Sequence, residues 1–349
     1  MAPKILFIIL NHNSEEYLIK CISSVKNQSI SNNKIVLVDN ASTDNSIDLI
    51  SKTFPDIEII SNTVNLGLGS GFNIALKKYM ENYDYFVLMN SDVVLDIKWC
   101  EILINYLEEN KNVWSVNGLM MVGGSDLIDN AGGQILNILF GIFIGHLGNQ
   151  SLSNISKSNF NKPFKVFFNI CNAMIIRKDV LIRVGFFDPS YFMYYEDIDL
   201  SWRILLNGHE VHCNPRAVAY HFGGSSKKGR ELVLNLTGYM ERNLLATYYK
   251  NISTPFLLII FPILLVARLL GAVLYFFVSP RVTISKVNGI IKFFLSLGSY
   301  YMKRKEIQKF RVVKELEIYR NNHGSLMNLK SVFFYFSPWI SRIKQFINE

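Results

Sequence analysis

Strand and helix signals alternate through roughly the first ninety residues, and this restricts the possible folds more than any other feature of the chain. Residues 4–10 are an apolar run. Tyr17, Leu18, Cys21, Ile22 and Val25 then recur at helical spacing within 14–26. A second buried strand over 34–38 ends at Asp39-Asn40 and is followed by a helix over 46–53 and a strand over 57–61. A further helix over 71–79 leads into a strand over 85–89, which ends at Asn90-Ser91-Asp92. Strands separated by single helices predict a parallel sheet. Ligands bind such sheets beyond the carboxyl ends of the strands. Three of those ends carry polar clusters: Asn11 with Asn13, Asp39 with Asn40, and Asn90 with Asp92.

The remainder divides into a harder middle and a distinct tail. Residues 96–165 hold a helix over 99–108, a Gly-rich stretch over 118–148 and a Ser/Asn-rich loop over 150–161. A strand is expected over 165–176 and an amphipathic helix over 197–206. Residues 255–278 are apolar apart from Arg268 and, at 24 residues, exceed the about 20 needed to span a bilayer. Pro262 and Arg268 near the middle argue against a span. So does positive charge on both sides, at Lys250 before and at Arg281, Lys286 and Lys303-Arg304-Lys305 after. Residues 289–302 are short and carry Lys292, a poor return span. An interfacial or re-entrant helix pair is the expectation, with Phe333-Phe334-Tyr335-Phe336, Trp339, Ile343 and Phe346 as a further interfacial segment beside Arg342 and Lys344. Packing on the rest of the chain or in a homodimer is the competing reading.

Charge follows the same division. Residues 251–349 carry 14 Lys/Arg against 4 Asp/Glu, whereas residues 1–250 carry 22 against 24. A basic tail selects an anionic partner. Its interleaved Phe and Leu runs fit an anionic membrane surface better than nucleic acid. The expected domains are therefore 1–250 and 251–349. Cys21, Cys100, Cys171 and Cys213 form no CxxC pair, so neither a zinc site nor a disulfide framework is expected. The apolar run at 5–10 turns polar at Asn11-His12-Asn13, too early for the core of a signal peptide.

The strand ends carry the chemistry. Asp39 can accept from a pyrimidine N–H or a ribose hydroxyl, or simply close an Asx-turn before a helix cap at Asp44 or Ser46. In Asn65-Leu66-Gly67-Leu68-Gly69-Ser70-Gly71-Phe72-Asn73, alternate glycines permit close backbone approach at a helix start that suits a phosphate. Asp92, after Asn90 and Ser91, can hold Mg²⁺ or Mn²⁺ through one carboxylate plus diphosphate oxygens. Asp199 and Arg203 are spaced for an i,i+4 ion pair.

Five motifs occur in order: Asn-His-Asn-Ser at 11–14, Val-Asp-Asn-Ala-Ser-Thr-Asp at 38–44, Asn-x-Gly-x-Gly-x-Gly-x-Asn at 65–73, a strand ending Asn-Ser-Asp at 90–92, and Tyr-Glu-Asp-x-Asp-Leu-x-x-Arg at 195–203. Over roughly residues 4–250 the chain resembles a family 2 glycosyltransferase of GT-A fold, in the branch containing many rhamnosyltransferases. The resemblance implies an α/β, Rossmann-like nucleotide-diphospho-sugar domain followed by a helical, membrane-associating region. It implies that Asp39 recognises the base with Asn13 and Asn40 nearby, and that Asn65, Gly67 and Asn73 shape the nucleotide pocket. Asn11, Gly71, Asn90 and Ser91 are further cofactor-binding candidates. Asp92 becomes the metal carboxylate of an Asp-x-Asp motif whose first position here is Asn90, and His221 matches a histidine that completes the metal site in some relatives. Glu196 and Asp197 match the catalytic carboxylate position, with Asp197 as general base and mutual elevation of their pKa values expected. Asp129 and Trp202 are candidate acceptor contacts, although core packing also accounts for Trp202.

The implied reaction is an inverting, metal-dependent transfer from a dTDP- or UDP-type sugar, rhamnose as first choice, to a lipid-linked or growing cell-surface glycan at the cytoplasmic face of the cell membrane. One alternative is a membrane-docked nucleotide-sugar-binding scaffold without turnover. Another is a processive polysaccharide synthase, whose Gln-x-x-Arg-Trp motif is matched here only by Gln308-Lys309-Phe310-Arg311-Val312, read as a solvated helix face.

Overall fold

The structure, a computed structural model, describes residues 2–30, 32–137, 142–145, 147–148, 150–152, 162–223, 230–277 and 279–321. The aromatic segment expected to be interfacial after residue 330 and most of the Ser/Asn-rich loop lie outside these. The chain forms two units. The first comprises residues 1–133, 145–192 and 196–225; the second comprises 134–144, 193–195 and 226 onward.

The first unit opens with β1 (Ile5–Asn11), α1 (Leu18–Lys26), β2 (Asn33–Asp39), α2 (Ser46–Thr53), β3 (Glu58–Ser61), α3 (Leu68–Tyr79) and β4 (Tyr85–Asn90). β1 is buried along its whole length because it lies between β2 and β4, both parallel to it. The register sets Asn11 opposite Asp39 and Leu10 opposite Asn90, so three strand ends finish level. α1 buries Leu18, Cys21, Ile22 and Val25, the stripe expected from their spacing. Residues 14–17 form a turn instead of helix: the Ser14 carbonyl accepts from the Tyr17 and Leu18 N–H groups at 3.1 and 3.0 Å.

The following elements are β5 (Val93–Leu95), α4 (Trp99–Glu109), β6 (Val113–Val122), β7 (Ile128–Asn130), β8 (Gly133–Asn137), β9 (Ile142–Gly145), β10 (Phe164–Lys165), β11 (Ala173–Arg177), α5 (Lys178–Arg183), α6 (Glu196–Leu206) and β12 (Glu210–His221). The main sheet runs β10-β12-β6-β11-β4-β1-β2-β3, with β5 on β12 and β7 on β6, while β8 and β9 pair separately. The parallel arrangement expected of the first ninety residues holds for β1 to β4. β11 lies antiparallel to both β4 and β6, and β12 is parallel to β6. The strand expected over 165–176 is divided into β10 and β11.

The second unit is built on α7 (Arg230–Asn251), α8 (Thr254–Phe276), α9 (Pro280–Leu295), α10 (Leu297–Lys309) and α11 (Glu315–Asn321). The boundary expected at residue 250 falls at the end of α7, but α7 groups with the helices that follow it. α7 and α9 approach closely at two glycines: a Cβ on Gly289 would lie 2.4 Å from the Gly238 carbonyl oxygen. The C-terminus of α7 is capped from α10 and just beyond. Arg304 donates to the carbonyls of Tyr249 and Ile252, both at 2.6 Å, Gln308 to that of Lys250 at 2.9 Å, and Arg311 to that of Asn251. Donors with positive charge suit the negative end of a helix. Gln308 and Arg311 are thus structural caps, not the solvated face expected from their spacing.

α8 is a single helix long and apolar enough to cross a membrane by length and composition. Arg268, its one charge, is spent inward. It pairs with Glu241 of α7, whose carboxylate also takes Lys286 of α9. Burial opposes ionisation of Glu241, but the two cations outweigh it and hold its pKa below the usual range. The opposite stripe, Leu258, Ile259, Ile263, Val266, Leu270, Val273 and Phe277, is exposed, with Leu258 and Phe277 at 73%. Removing the shared anion strands two buried cations. Glu241→Ala is expected to cost about 3–5 kcal/mol, read as a lower denaturant midpoint of the helical unit.

Candidate active site

Asp92 follows β4 in the turn into β5, and β5 lies antiparallel to β12 with Val93 opposite His221. β12 and β7 are both neighbours of β6, on which Met120 faces Ala219 and Asn130. That arrangement delivers His221 and Asp129 to one place. His221 Nε2 lies 3.4 Å from Asp92 Oδ2, and its Nδ1 lies 3.0 Å from Asp129 Oδ2. Burial disfavours the imidazolium, but hydrogen bonds and charge from Asp129 and Asp92 prevail and raise its pKa to about 10. Asp129, a candidate acceptor contact by sequence, instead grips the histidine. Gly223 completes the corner: a Cβ there would lie 1.6 Å from Asp92 Oδ2, so only glycine fits.

Asp92 Oδ1 is buried and has no hydrogen-bond partner among the described residues. An orphaned carboxylate oxygen is costly unless something binds it. Among the described residues no group of three His, Cys, Asp or Glu side chains forms a ready cation cage. The donor set fits Mg²⁺ or Mn²⁺ held by one or two protein ligands and completed by phosphate oxygens. Asn90 contributes backbone instead of side chain: its N–H donates to the Asn172 carbonyl at 3.0 Å, and its carbonyl accepts from the Cys21 thiol at 3.6 Å. Ser91 is buried, its N–H bonded to the Leu10 carbonyl at 3.2 Å.

Glu196 and Asp197 begin α6, directly after Tyr194 and Tyr195 at φ +69° and +71°. Two successive bulky residues in the left-handed region store backbone strain of the kind that gathers at functional sites. Asp197 Oδ1 accepts from the Ile198 N–H at 2.8 Å, and the carboxylate also accepts from the Cys171 N–H. Burial raises its pKa to about 6 against these donors. Glu196 is 4% exposed, its Oε2 has no partner, and burial followed by the charge of Asp197 pushes it well above the usual range. Mutual elevation was the expectation; burial is the larger cause for both, and the Coulombic effect falls on Glu196. The two carboxylates thus separate into a proton holder and a base that ionises near neutrality.

Asn172 ties the two clusters together. Its side chain donates to Asp129 Oδ2 at 3.4 Å, its carbonyl holds Asn90, and its neighbour Cys171 supplies the N–H to Asp197. Sequence reading missed Asn172 and Gly223. The available signal was their position, one just before a buried strand and one just after the histidine that ends another.

The residues expected to meet a nucleotide are largely bonded to one another. Asp39, 5% exposed, accepts from Ser42 Oγ at 2.5 Å and from Asn11 Nδ2 at 3.2 Å. The Asx-turn falls at Asp44, whose Oδ1 accepts from the Ser46 N–H at 3.2 Å, and the helix cap expected at Asp44 or Ser46 falls instead on Asn45, which makes no side-chain cap bond. Asn11 Oδ1 is buried without a partner. Asn13, at φ +53°, accepts from the Thr43 N–H at 2.7 Å. Asn40 organises the glycine loop: Nδ2 donates to Asn65 Oδ1 and the Gly67 carbonyl at 2.9 and 3.1 Å, while Oδ1 accepts from the Leu66 N–H at 3.0 Å. Gly67, at φ +81°, leaves no room for a Cβ, which would sit 2.1 Å from the Phe192 carbonyl oxygen.

Three of the expected site residues face the protein interior. Gly71 faces inward, where a Cβ would meet a Leu10 methyl at 2.5 Å. Asn73 is buried and spends its amide on the Phe187 backbone, at 2.9 and 3.1 Å, so it shapes the loop from behind. Trp202 is fully buried against Phe167, with ring centroids 5.1 Å apart, and is not available to stack on an acceptor. Asp199 and Arg203 form the expected pair at 3.0 Å, buried, and Arg203 also donates to the carbonyls of Val184 and Phe186 at 2.5 and 2.9 Å.

An α/β sheet with carboxylates and amides gathered at its strand ends is the setting in which such folds bind ligands. The glycosyl transferase family 2 model matches residues 6–185, a little over half of the chain, which therefore belongs to that family. The chain is 26% identical over 332 residues to an uncharacterized glycosyltransferase of Haemophilus influenzae, covering 88% of this chain and 97% of that protein. It is 26% identical over 223 residues to the rhamnosyltransferase WbbL of Escherichia coli, covering 62% and 83% respectively. To the poly-beta-1,6-N-acetyl-D-glucosamine synthase of Staphylococcus epidermidis it is 25% identical over 62% of this chain, and it spans 49% of that protein. Among solved structures, GalNAc-T7 with UDP, GalNAc and Mn²⁺ shares the fold at a TM-score of 0.57 and 15% identity, over 71% of this chain and 48% of that one.

Two outcomes are expected. Gly223→Ala displaces the Asp92 carboxylate, so turnover of nucleotide sugar falls at least tenfold while the circular dichroism spectrum is kept. Glu196→Gln removes an acid whose folded pKa lies above its unfolded value. Such a group costs stability as pH rises past the ordinary carboxylate range. The variant therefore unfolds at higher temperature than the parent at pH 7, and the gain fades on acidification toward the ordinary carboxylate pKa; a constant gain would contradict the assignment.

Proposed function

We propose that this chain is an inverting, metal-dependent glycosyltransferase. It moves a sugar from a dTDP- or UDP-type donor to a hydroxyl of a lipid-linked or growing cell-surface glycan, at the cytoplasmic face of the membrane. Rhamnose is the first donor sugar to test, supported by the similarity to the E. coli rhamnosyltransferase over 83% of its length. The exposed apolar stripe of α8 supports membrane attachment.

The observation that carries the reading is Asp197: a carboxylate with pKa about 6 beside a buried Glu196 that holds its own proton more tightly. In the reaction Asp197 takes the proton of the acceptor hydroxyl. The acceptor oxygen forms its bond to the anomeric carbon while the bond from that carbon to the diphosphate oxygen breaks on the opposite face. The nucleoside diphosphate leaves with the electron pair. Asp92 would ligate the cation, and His221, held by Asp129 through Nδ1, would join it only as the neutral imidazole, giving up its Nε2 proton as the metal binds; the cation would supply charge stabilisation to the departing diphosphate. No acid is needed for that leaving group, in contrast to glycoside hydrolysis. Asp39, with Asn11, Asn13 and Asn40 beside it, bounds the base and ribose, and Asn65 with Gly67 closes the loop over them.

Nucleoside-diphosphate release from UDP- and dTDP-sugars in Mn²⁺ tests the reading. EDTA should stop release, and Asp197→Asn should lower it by about 10²–10⁴, the usual share of a general base. The rate should climb with pH through about 6 as Asp197 ionises. Nucleotide binding with no release under any acceptor would instead support a scaffold. Long polymeric product would support the synthase reading, which the staphylococcal similarity favours.

A further inference from the structure

The helical unit contains a cavity of about 320 Å³ between α7 and α9. Arg242 comes from α7, and Arg281, Ser285, Asn288 and Lys292 come from one face of α9, at spacings of four, three and four. No acidic side chain is among its lining residues as described. The two backbones approach closely at Gly238 and Gly289, and both glycines line the cavity. Arg242 lies over the Tyr239 ring at 5.4 Å, and Arg281 and Lys292 are exposed. Three cations with an amide make a receptor for a phosphate-type anion: guanidinium forks pair phosphate oxygens and the Asn288 amide donates to a remaining lone pair, while the Ser285 hydroxyl donates to the Leu234 carbonyl and Arg242 Nε to Asn243 Oδ1.

The surroundings identify the source of that phosphate. Ile284 lines the cavity and is 59% exposed, and the same helix ends in exposed Phe294 and Leu295. A soluble phosphate has no use for such a rim, whereas an amphiphile needs it. We propose that the α7–α9 groove binds the phosphate headgroup of an anionic membrane lipid whose chain lies along the exposed apolar side chains of this unit. This rests on the reading that the helical unit lies on a membrane.

Flotation of the full chain with vesicles tests both ideas separately. Binding to pure phosphatidylcholine reports the apolar face. The additional binding produced by phosphatidylglycerol reports the groove. Arg281→Gln/Lys292→Gln should leave the first unchanged and cut the second roughly twenty-five-fold, since each basic residue near an anionic surface is worth about fivefold. Lys305→Gln/Lys314→Gln, equal in charge and also exposed, should retain most of it. Equal loss in both pairs would mean diffuse attraction and overturn the groove. So would displacement of the protein from anionic vesicles by millimolar inorganic phosphate, together with a phosphate-induced thermal shift that the Arg281/Lys292 pair abolishes. Failure to float with either vesicle overturns the membrane reading itself.

Discussion

The candidate site depends on how β11 runs against the end of β4. Ala173 pairs with Met89, and one step further the Asn90 N–H reaches the Asn172 carbonyl. This bond anchors a two-residue segment, Cys171-Asn172, between two carboxylate clusters. On one side the Asn172 amide touches Asp129 and thereby the His221–Asp92 corner; on the other the Cys171 N–H meets Asp197. Groups far apart in sequence are therefore positioned by the ladder of a central, buried strand pair. Catalytic geometry needs support of this rigidity, because small displacements of a base or a cation carboxylate are expensive in rate.

Much of the first half could be read from the sequence because its signals are local. β1 to β4 are short apolar runs punctuated by polar ends, and their helices have clear apolar stripes. The second half resisted for physical reasons. β6 is buried at nearly every position and so lacks the alternation that marks a strand. Gly118 within it resembles loop material, yet it is required because a Cβ there would lie 2.1 Å from the Ala217 carbonyl oxygen. β12 contains Pro215 at a register shift between Asn214 and Val218, which hides its continuity. Without β6 and β12, nothing in the sequence could bring Asp129 to His221, residues whose proximity is purely a matter of topology.

The polar strand ends show the same division. The residues singled out at 39–40 and 65–73 do congregate, but many of their hydrogen bonds are to one another. Asn40 shapes the glycine loop, and Asn73 fastens α3 to the Phe187 backbone. Residue type and position flag such a cluster; only coordinates separate side chains that face a ligand from those that build the wall behind it. Among the described residues of the candidate site, Asn11 Oδ1, Asp92 Oδ1 and Glu196 Oε2 are buried without hydrogen-bond partners. In a folded protein such atoms normally mark where something else binds or where a proton is kept.

The inward charge of α8 has a consequence for how that helix can meet lipid. Arg268 is bound through Glu241 to Lys286, so three helices share one electrostatic knot. Standing upright through hydrocarbon would oblige α8 either to drag that knot into an oily medium or to leave Glu241 to Lys286 and carry an unpaired arginine into the bilayer. Both are steep penalties. Lying flat would incur neither, and the inward-turned arginine leaves the apolar side of α8 facing outward.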